Sequence, residues 1–174
     1  KGQSRLYDRI AKRASGYRTT FDVRVEGLTG EDEFIVTVFE NISLRDNVLD
    51  FGCGDGSFTI RLGHRSGQVI GLDVSQEMLR YAVNNVEESG NRNVSFVLAT
   101  GQQLPLDNDS IDAVVSRRGP ATSRRCLPEV ARVLRKGGLL IELHVGDRHC
   151  IEVREMFGRG QNWPIRWRPM IDMP

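Results

Sequence analysis

Residues Asn47 to Phe58 read NVLDFGCGDGSF, and the fold turns on this stretch. Val48, Leu49 and Phe51 surround Asp50 in an apolar run that breaks into glycine at Gly52, Gly54 and Gly56, after which Phe58, Ile60 and Leu62 resume the apolar pattern. The order is strand, tight turn, helix start. Alternate glycines let the main chain take positive φ and let a bulky ligand come against it, while the free N–H groups opening the next helix present donors. A GxGxG turn is also an ordinary structural connection, so its meaning depends on the residues downstream of it.

Downstream the chain alternates regularly. Gln68 to Val74, QVIGLDV, reads as a second buried strand ending at Asp73, and Ser75 suits the N-cap of a helix that presents Met78, Leu79, Ala82, Val83 and Val86 on one face and stops at Gly90. Asn93 to Ala99 is a third strand, Ile111 to Ser116 a fourth after the turn residues DNDS, and Leu139 to Val145 a fifth. Pro128 suits the first turn of a helix that continues from Glu129 to Lys136 and meets a stop signal at Gly137-Gly138. Upstream, Leu6, Ile10 and Ala14 predict a short amphipathic helix within Ser4 to Tyr17, and Phe34, Ile35, Val38, Phe39 and Ile42 predict another within Gly30 to Ser43. Nearly apolar strands alternating with helices predict an α/β fold, a doubly wound and mainly parallel sheet covered on both faces. One domain is expected, with a helical cap over residues 1–46, a core over 47–146 and a C-terminal part over 147–174 in which Ile151 to Phe157 alone has helical character.

Composition sets the outer bounds. A chain of 174 residues with 39% hydrophobic and 27% charged residues can bury a full core, which excludes disordered and fibrous classes. The net charge of +1 hides basic flanks: residues 1–20 carry six Lys/Arg against one acid, and residues 116–168 carry twelve against five. Such flanks can meet an anionic substrate or a nucleic acid, but the aromatics between Ser116 and Arg168 are Phe157, Trp163 and Trp167, all late, so no stacking platform is interleaved and nucleic acid is not favoured. Cys53, Cys126 and Cys150 have neither CxxC nor zinc-site spacing, which predicts reduced thiols, no metal and a cytoplasmic setting. No apolar run approaches the roughly 18 residues of a membrane span, and Lys1 to Thr20 lacks the apolar core of a secretory signal.

In an open doubly wound sheet, ligands bind beyond the carboxyl ends of the strands, where the connections reverse direction. Those ends are expected at Gly52 to Gly56, Asp73 to Val74, Ala99 to Gln102, Ser116 to Gly119 and His144 to Gly146. Asp73 lies 17 residues after Gly56, at a strand tip where a carboxylate can accept from both hydroxyls of a ribose; the plainer alternative is a surface turn aspartate. The dinucleotide fingerprint GxGxxG is not met, because a match from Gly52 needs glycine at Ser57 and one from Gly54 finds Phe58 and Thr59 instead. NAD is therefore disfavoured as the ligand.

Four stretches in order resemble the class I S-adenosylmethionine-dependent methyltransferases: VLDFGCGDG, GLDVSQEMLRYA, LPLDNDSIDAVVS and EVARVLRKGGLLI, spanning Val48 to about Val145. The resemblance implies a Rossmann-like methyltransferase fold and S-adenosylmethionine as cofactor. It implies Asp50, Gly52 and Gly54 near the methionine end with Cys53 in the same turn, Asp73 on the ribose, and Val74 and Met78 against adenine. Similar enzymes often hold the adenine amino group with an acid after strand three. Here Thr100 stands in its place, so Thr100, Gly101 and Gln102 inherit that contact, and Ser116 at the end of strand four completes the cofactor set. Similar enzymes also end the sheet with a sixth strand and a reversed seventh; the tail to Pro174 shows no such pattern, and truncation or cleavage is the expectation drawn from it.

The implied reaction asks mainly for alignment and exclusion of water, because the sulfonium already activates the methyl group. No triad or metal box is needed, and the catalytic residue is left unassigned. His144 is a candidate base by position, with an ordinary structural histidine as the alternative. Arg117 and Arg118, after strand four, can clamp a carboxylate or phosphate of the acceptor, or else face solvent or pair with acids of the middle region. Tyr7 and Tyr17 can belong to a lid over the cofactor, Tyr7 equally to the core. The expected activity is methyl transfer to a small or medium-sized acceptor, with a non-catalytic cofactor-binding module and an RNA or protein methyltransferase as alternatives and a nicotinamide dehydrogenase as the weakest. Oligomeric state has no sequence signal.

Overall fold

The computed structural model describes residues 2–14 and 27–144. The elements in order are α1 (Gly2–Ala14), α2 (Gly30–Asn41), β1 (Asn47–Phe51), α3 (Ser57–Gly63), β2 (Gln68–Asp73), α4 (Gln76–Ser89), β3 (Val94–Leu98), β4 (Ile111–Arg117), α5 (Leu127–Val133) and β5 (Leu134–Leu143). The strands form one sheet in the order β3-β2-β1-β4-β5, and every neighbouring pair is parallel. From β1 the chain winds outward through β2 and β3, then returns to the other side of β1 for β4 and β5. The reversal lies between β1 and β4, and the crevice at their carboxyl ends is where such a sheet accepts a ligand.

Strand alternation sorts the core into two layers. Val48 points to the face covered by α2 and α3, where it joins Phe34, Val38, Phe58, Leu62 and Val115. Leu49 points the other way, to Leu72, Val114, Val130 and Val133 beneath α5. Both layers are dry enough for β1 to be buried at every residue after Asn47, which is why its sequence reads as a continuous apolar run interrupted only by Asp50.

Local chemistry sets the helix ends. Thr29 and Asp32 form a reciprocal capping box on α2: Asp32 N donates to Thr29 Oγ1 at 3.1 Å and Thr29 N to Asp32 Oδ2 at 2.9 Å. Ser75 caps α4 by accepting from Met78 N at 3.2 Å, and Gly90 ends it in the left-handed region. The end of α5 differs from the sequence expectation. The helix stops at Val133 rather than Lys136, and β5 begins at Leu134, which faces Ile111 while Leu139 faces Ala113. Arg135 to Gly138 thus bulge opposite Asp112. Arg135 Nε pairs with Asp112 Oδ1 at 2.6 Å, and Gly137 takes a φ of 80°. The glycine pair shapes a bulge inside the strand instead of ending the helix, because the tertiary pairing of Leu134 with β4 outweighs the helical pattern that runs to Lys136. Tyr17, Cys150, Trp163, Trp167 and the helical expectation for Ile151 to Phe157 fall outside the described residues.

Candidate active site

A cleft of about 450 Å³ opens at the reversal point, and its floor is the glycine turn after β1. That volume lies within the roughly 300–1,000 Å³ of small-molecule sites. The turn is pinned from below: Gly52 N and Cys53 N both donate to Leu72 O, at 2.8 and 2.9 Å. Gly54 sits at a φ of 57°, which glycine adopts at little cost. At Gly56 a side chain is excluded for a second reason, since a Cβ there would lie 2.9 Å from Ala82 Cβ and from Phe96 Cζ. Asn85 of α4 closes the turn by donating from Nδ2 to Asp55 O at 2.9 Å.

Asp73 is the hinge between turn and helix. Its Oδ2 accepts from Gly54 N and its Oδ1 from Ser75 N, each at 2.9 Å, so two backbone donors hold the carboxylate in one orientation. A carboxylate offers about four acceptor sites, more than these backbone donors fill. Burial raises the Asp73 pKa, and these backbone bonds oppose the rise. Asp50, deeper in the cleft, is buried and accepts from Thr59 Oγ1 at 2.7 Å. Desolvation raises its pKa to about 6, opposed by the Thr59 bond and by the charge of Arg117. Met78 is buried and Val74 half-buried on the same wall.

The rim is built differently. Tyr7 of α1 lines the cleft, and the next residue, Asp8, docks α1 onto the start of α4: Asp8 Oδ1 accepts from Ser75 Oγ at 2.6 Å and from Glu77 N at 3.4 Å. Across the opening, Arg117 and Arg118 reach back over 86 and 87 positions to one carboxylate, that of Glu31 in the first turn of α2. Arg117 also lies over the Phe58 ring, 5.3 Å from its centroid. Glu31, Arg117 and Arg118 all line the cleft.

The structure gathers Tyr7, Asp50, Gly52, Cys53, Gly54, Asp73, Val74, Met78, Gly101, Arg117 and Arg118 around one cavity. Thr100, Gln102 and Ser116 are not part of its wall. Thr100 forms a turn, its carbonyl accepting from Gln103 N at 3.1 Å. Ser116 is buried and donates to Glu142 Oε1 at 3.3 Å, where Glu142 also accepts from Ala121 N and Thr122 N and so braces the loop carrying Gly119 and Pro120 into the cleft. His144 comes directly after β5 and is exposed. Sequence reasoning missed Glu31, Asp8 and Pro120, while Gly119 lies within the strand end Ser116 to Gly119 that it expected to meet a ligand. Glu31 had only an acidic helix start as its signal and Asp8 only its place beside Tyr7.

A parallel sheet in this order, with a glycine turn on its central strand and a cleft at the reversal point, defines a doubly wound α/β domain. A methyltransferase-domain family model matches residues 48–138, and the chain belongs to this methyltransferase family. It is 36% identical over 136 residues to an uncharacterized methyltransferase of Mycobacterium bovis, covering 73% of this chain and 52% of that protein. It is 34% identical over 101 residues to a demethylmenaquinone methyltransferase of Lactococcus lactis, covering 55% of this chain and 40% of that one. Among solved structures, an S-adenosylmethionine-dependent methyltransferase from Aquifex aeolicus superposes with a TM-score of 0.52 at 25% identity, over 59% of this chain and 57% of that one. The chain spans about half the length of the curated relatives it matches. Among the described residues, no helix is long and apolar enough to cross a membrane.

Proposed function

We propose that this protein transfers the methyl group of S-adenosylmethionine to a small or medium-sized acceptor. The observation that carries the reading is the Asp73 carboxylate, held by backbone N–H groups of Gly54 and Ser75 in the wall of the cleft. Its chemistry fits a ribose diol, and the Asp50 carboxyl deeper in the same cleft fits an ammonium group. Met78 and Val74 supply an apolar wall suited to a purine. When bound, the cofactor would supply a methyl group already activated by its sulfonium. The protein's own contribution is position: the turn holds one reactant against the main chain, while Tyr7, Arg117 and Arg118 border the side from which the other enters.

Calorimetric titration with S-adenosylhomocysteine and with NAD tests this reading. Binding of the first without the second is expected, because the turn does not meet the GxGxxG dinucleotide fingerprint, with Ser57 where its third glycine, which lets helix and strand pack closely, would stand. Tighter binding of NAD would remove the reading.

A further inference from the structure

The two arginines at the end of β4 already hold an anion. Arg117 Nη1 donates to Glu31 Oε1 at 2.9 Å and Arg118 Nη2 to Glu31 Oε2 at 3.0 Å, so each oxygen of one carboxylate has its own guanidinium. This is the arrangement by which paired arginines recognise a carboxylate or phosphate on a ligand. The group they hold here is internal to the chain and stands in the wall of the cleft.

Helix α2 has anchors other than that contact. Apolar burial of Phe34, Val38 and Ile42 anchors α2, with the Phe34 and Phe58 rings 5.7 Å apart. The capping box of Thr29 and Asp32 closes its first turn without Glu31. The arginines, in contrast, are aimed by other means. Arg117 rests over Phe58, and Arg118 is held at a φ of 63° with its N–H donating to Leu143 O at 2.9 Å. Arg117 thus keeps a side-chain contact of its own when Glu31 swings away, and the backbone that carries Arg118 is fixed independently of Glu31. Two cations facing one half-buried carboxylate also leave an excess of positive charge among these three side chains, and the half-exposed Arg118 pair is of the kind whose partners exchange at little cost.

We propose that the cleft selects an acceptor bearing a carboxylate or phosphate, which Arg117 and Arg118 clamp, and that Glu31 occupies the clamp until the acceptor's anion displaces it. The proposal rests on the methyl-transfer reading for the word acceptor, but the clamp itself is measurable without cofactor. Benzoate, phenyl phosphate and benzamide serve as probes, titrated by NMR with and without S-adenosylhomocysteine. Wild-type protein should bind both anions more tightly than benzamide. Glu31→Gln should strengthen both anions by roughly two- to fivefold and leave benzamide unchanged, and Arg118→Gln, at a half-exposed position, should weaken them by a similar factor. Tighter phenyl phosphate assigns the group as a phosphate, and tighter benzoate as a carboxylate. Equal binding of the three probes, or anion affinity unmoved by Glu31→Gln, would overturn the clamp. So would a Glu31→Gln protein that fails to fold, since the pair would then be structural. Absence of S-adenosylhomocysteine binding alongside an intact anion preference would sink the methyl-transfer reading and spare the clamp.

Discussion

The floor and the rim of the cleft are made of different materials. At the floor, Asp73 is held by backbone N–H groups from Gly54 and Ser75, and the turn beneath it is tied to Leu72 O. At the rim, Glu31, Arg117 and Arg118 meet through side chains alone, with 33%, 30% and 54% of those side chains exposed. Backbone donors buried in a turn cannot move without breaking the turn, whereas long side chains near solvent exchange partners at little cost. The contrast suits a site that holds one constant ligand and admits a second, and it can be attacked from either side.

The largest effect is expected at the floor, from Asp50. Its folded pKa of about 6 lies above the ordinary 3.8, so the folded state binds the proton more tightly than the unfolded state. The stability this group lends is full below pH 3.8 and is lost as pH rises towards 6, with a span on the order of 3 kcal/mol. Asp50→Asn, which keeps an acceptor for Thr59 Oγ1, should flatten that dependence. Urea unfolding of both proteins from pH 4.5 to 7 checks it; a difference between them that stays constant with pH would show that Asp50 is not held in a dry floor. Glu129 works with the opposite sign and at lower pH: bonds from Arg132 and Leu104 N hold it at about 2, so its contribution is full above 4.5 and fades as pH falls towards 2.

Next in size is Asp73→Ala. Loss of charge-assisted bonds to a ribose should weaken S-adenosylhomocysteine by about tenfold to a hundredfold, near 1.5–3 kcal/mol. Unchanged affinity in a folded variant would reduce Asp73 to a brace for the turn. A smaller effect is expected where α1 joins the rim to the floor. Asp8→Ala removes the acceptor for Ser75 Oγ and Glu77 N, and should cost about 1 kcal/mol of local stability, read as faster hydrogen exchange in α1 with the sheet unaffected. The smallest belongs to the rim itself: Glu31→Gln should shift the unfolding free energy by less than about 1 kcal/mol in urea. A larger loss would place the rim among the rigid parts and erase the distinction.

The family was legible from four stretches in order, and the alternation of strands and helices, the glycine turn and the place of Asp73 at a strand tip from neighbouring residues. Apolar runs mark buried strands, Ser75 and Gly90 mark the ends of α4, and three glycines within five positions mark a turn at positive φ. The same local signals misled at α5. Val130, Val133 and Leu134 continue a helical pattern, but Leu134 pairs with Ile111, and a strand partner 23 positions away leaves no trace in the spacing.

Side-chain pairing across the sheet was decided by the tertiary structure alone. Asp8 meets Ser75 over 67 positions, Glu31 meets Arg117 over 86, and Ser116 turns inward to Glu142 rather than out to the cleft. Periodicity and turn chemistry act within a few residues, so they determined the order of the elements and the glycine turn of the floor, though not the boundary between α5 and β5. Which charged groups share the rim depended on how α1 and α2 lie against the carboxyl ends of the strands, and that arises from packing the two apolar layers, where no single residue carries the instruction.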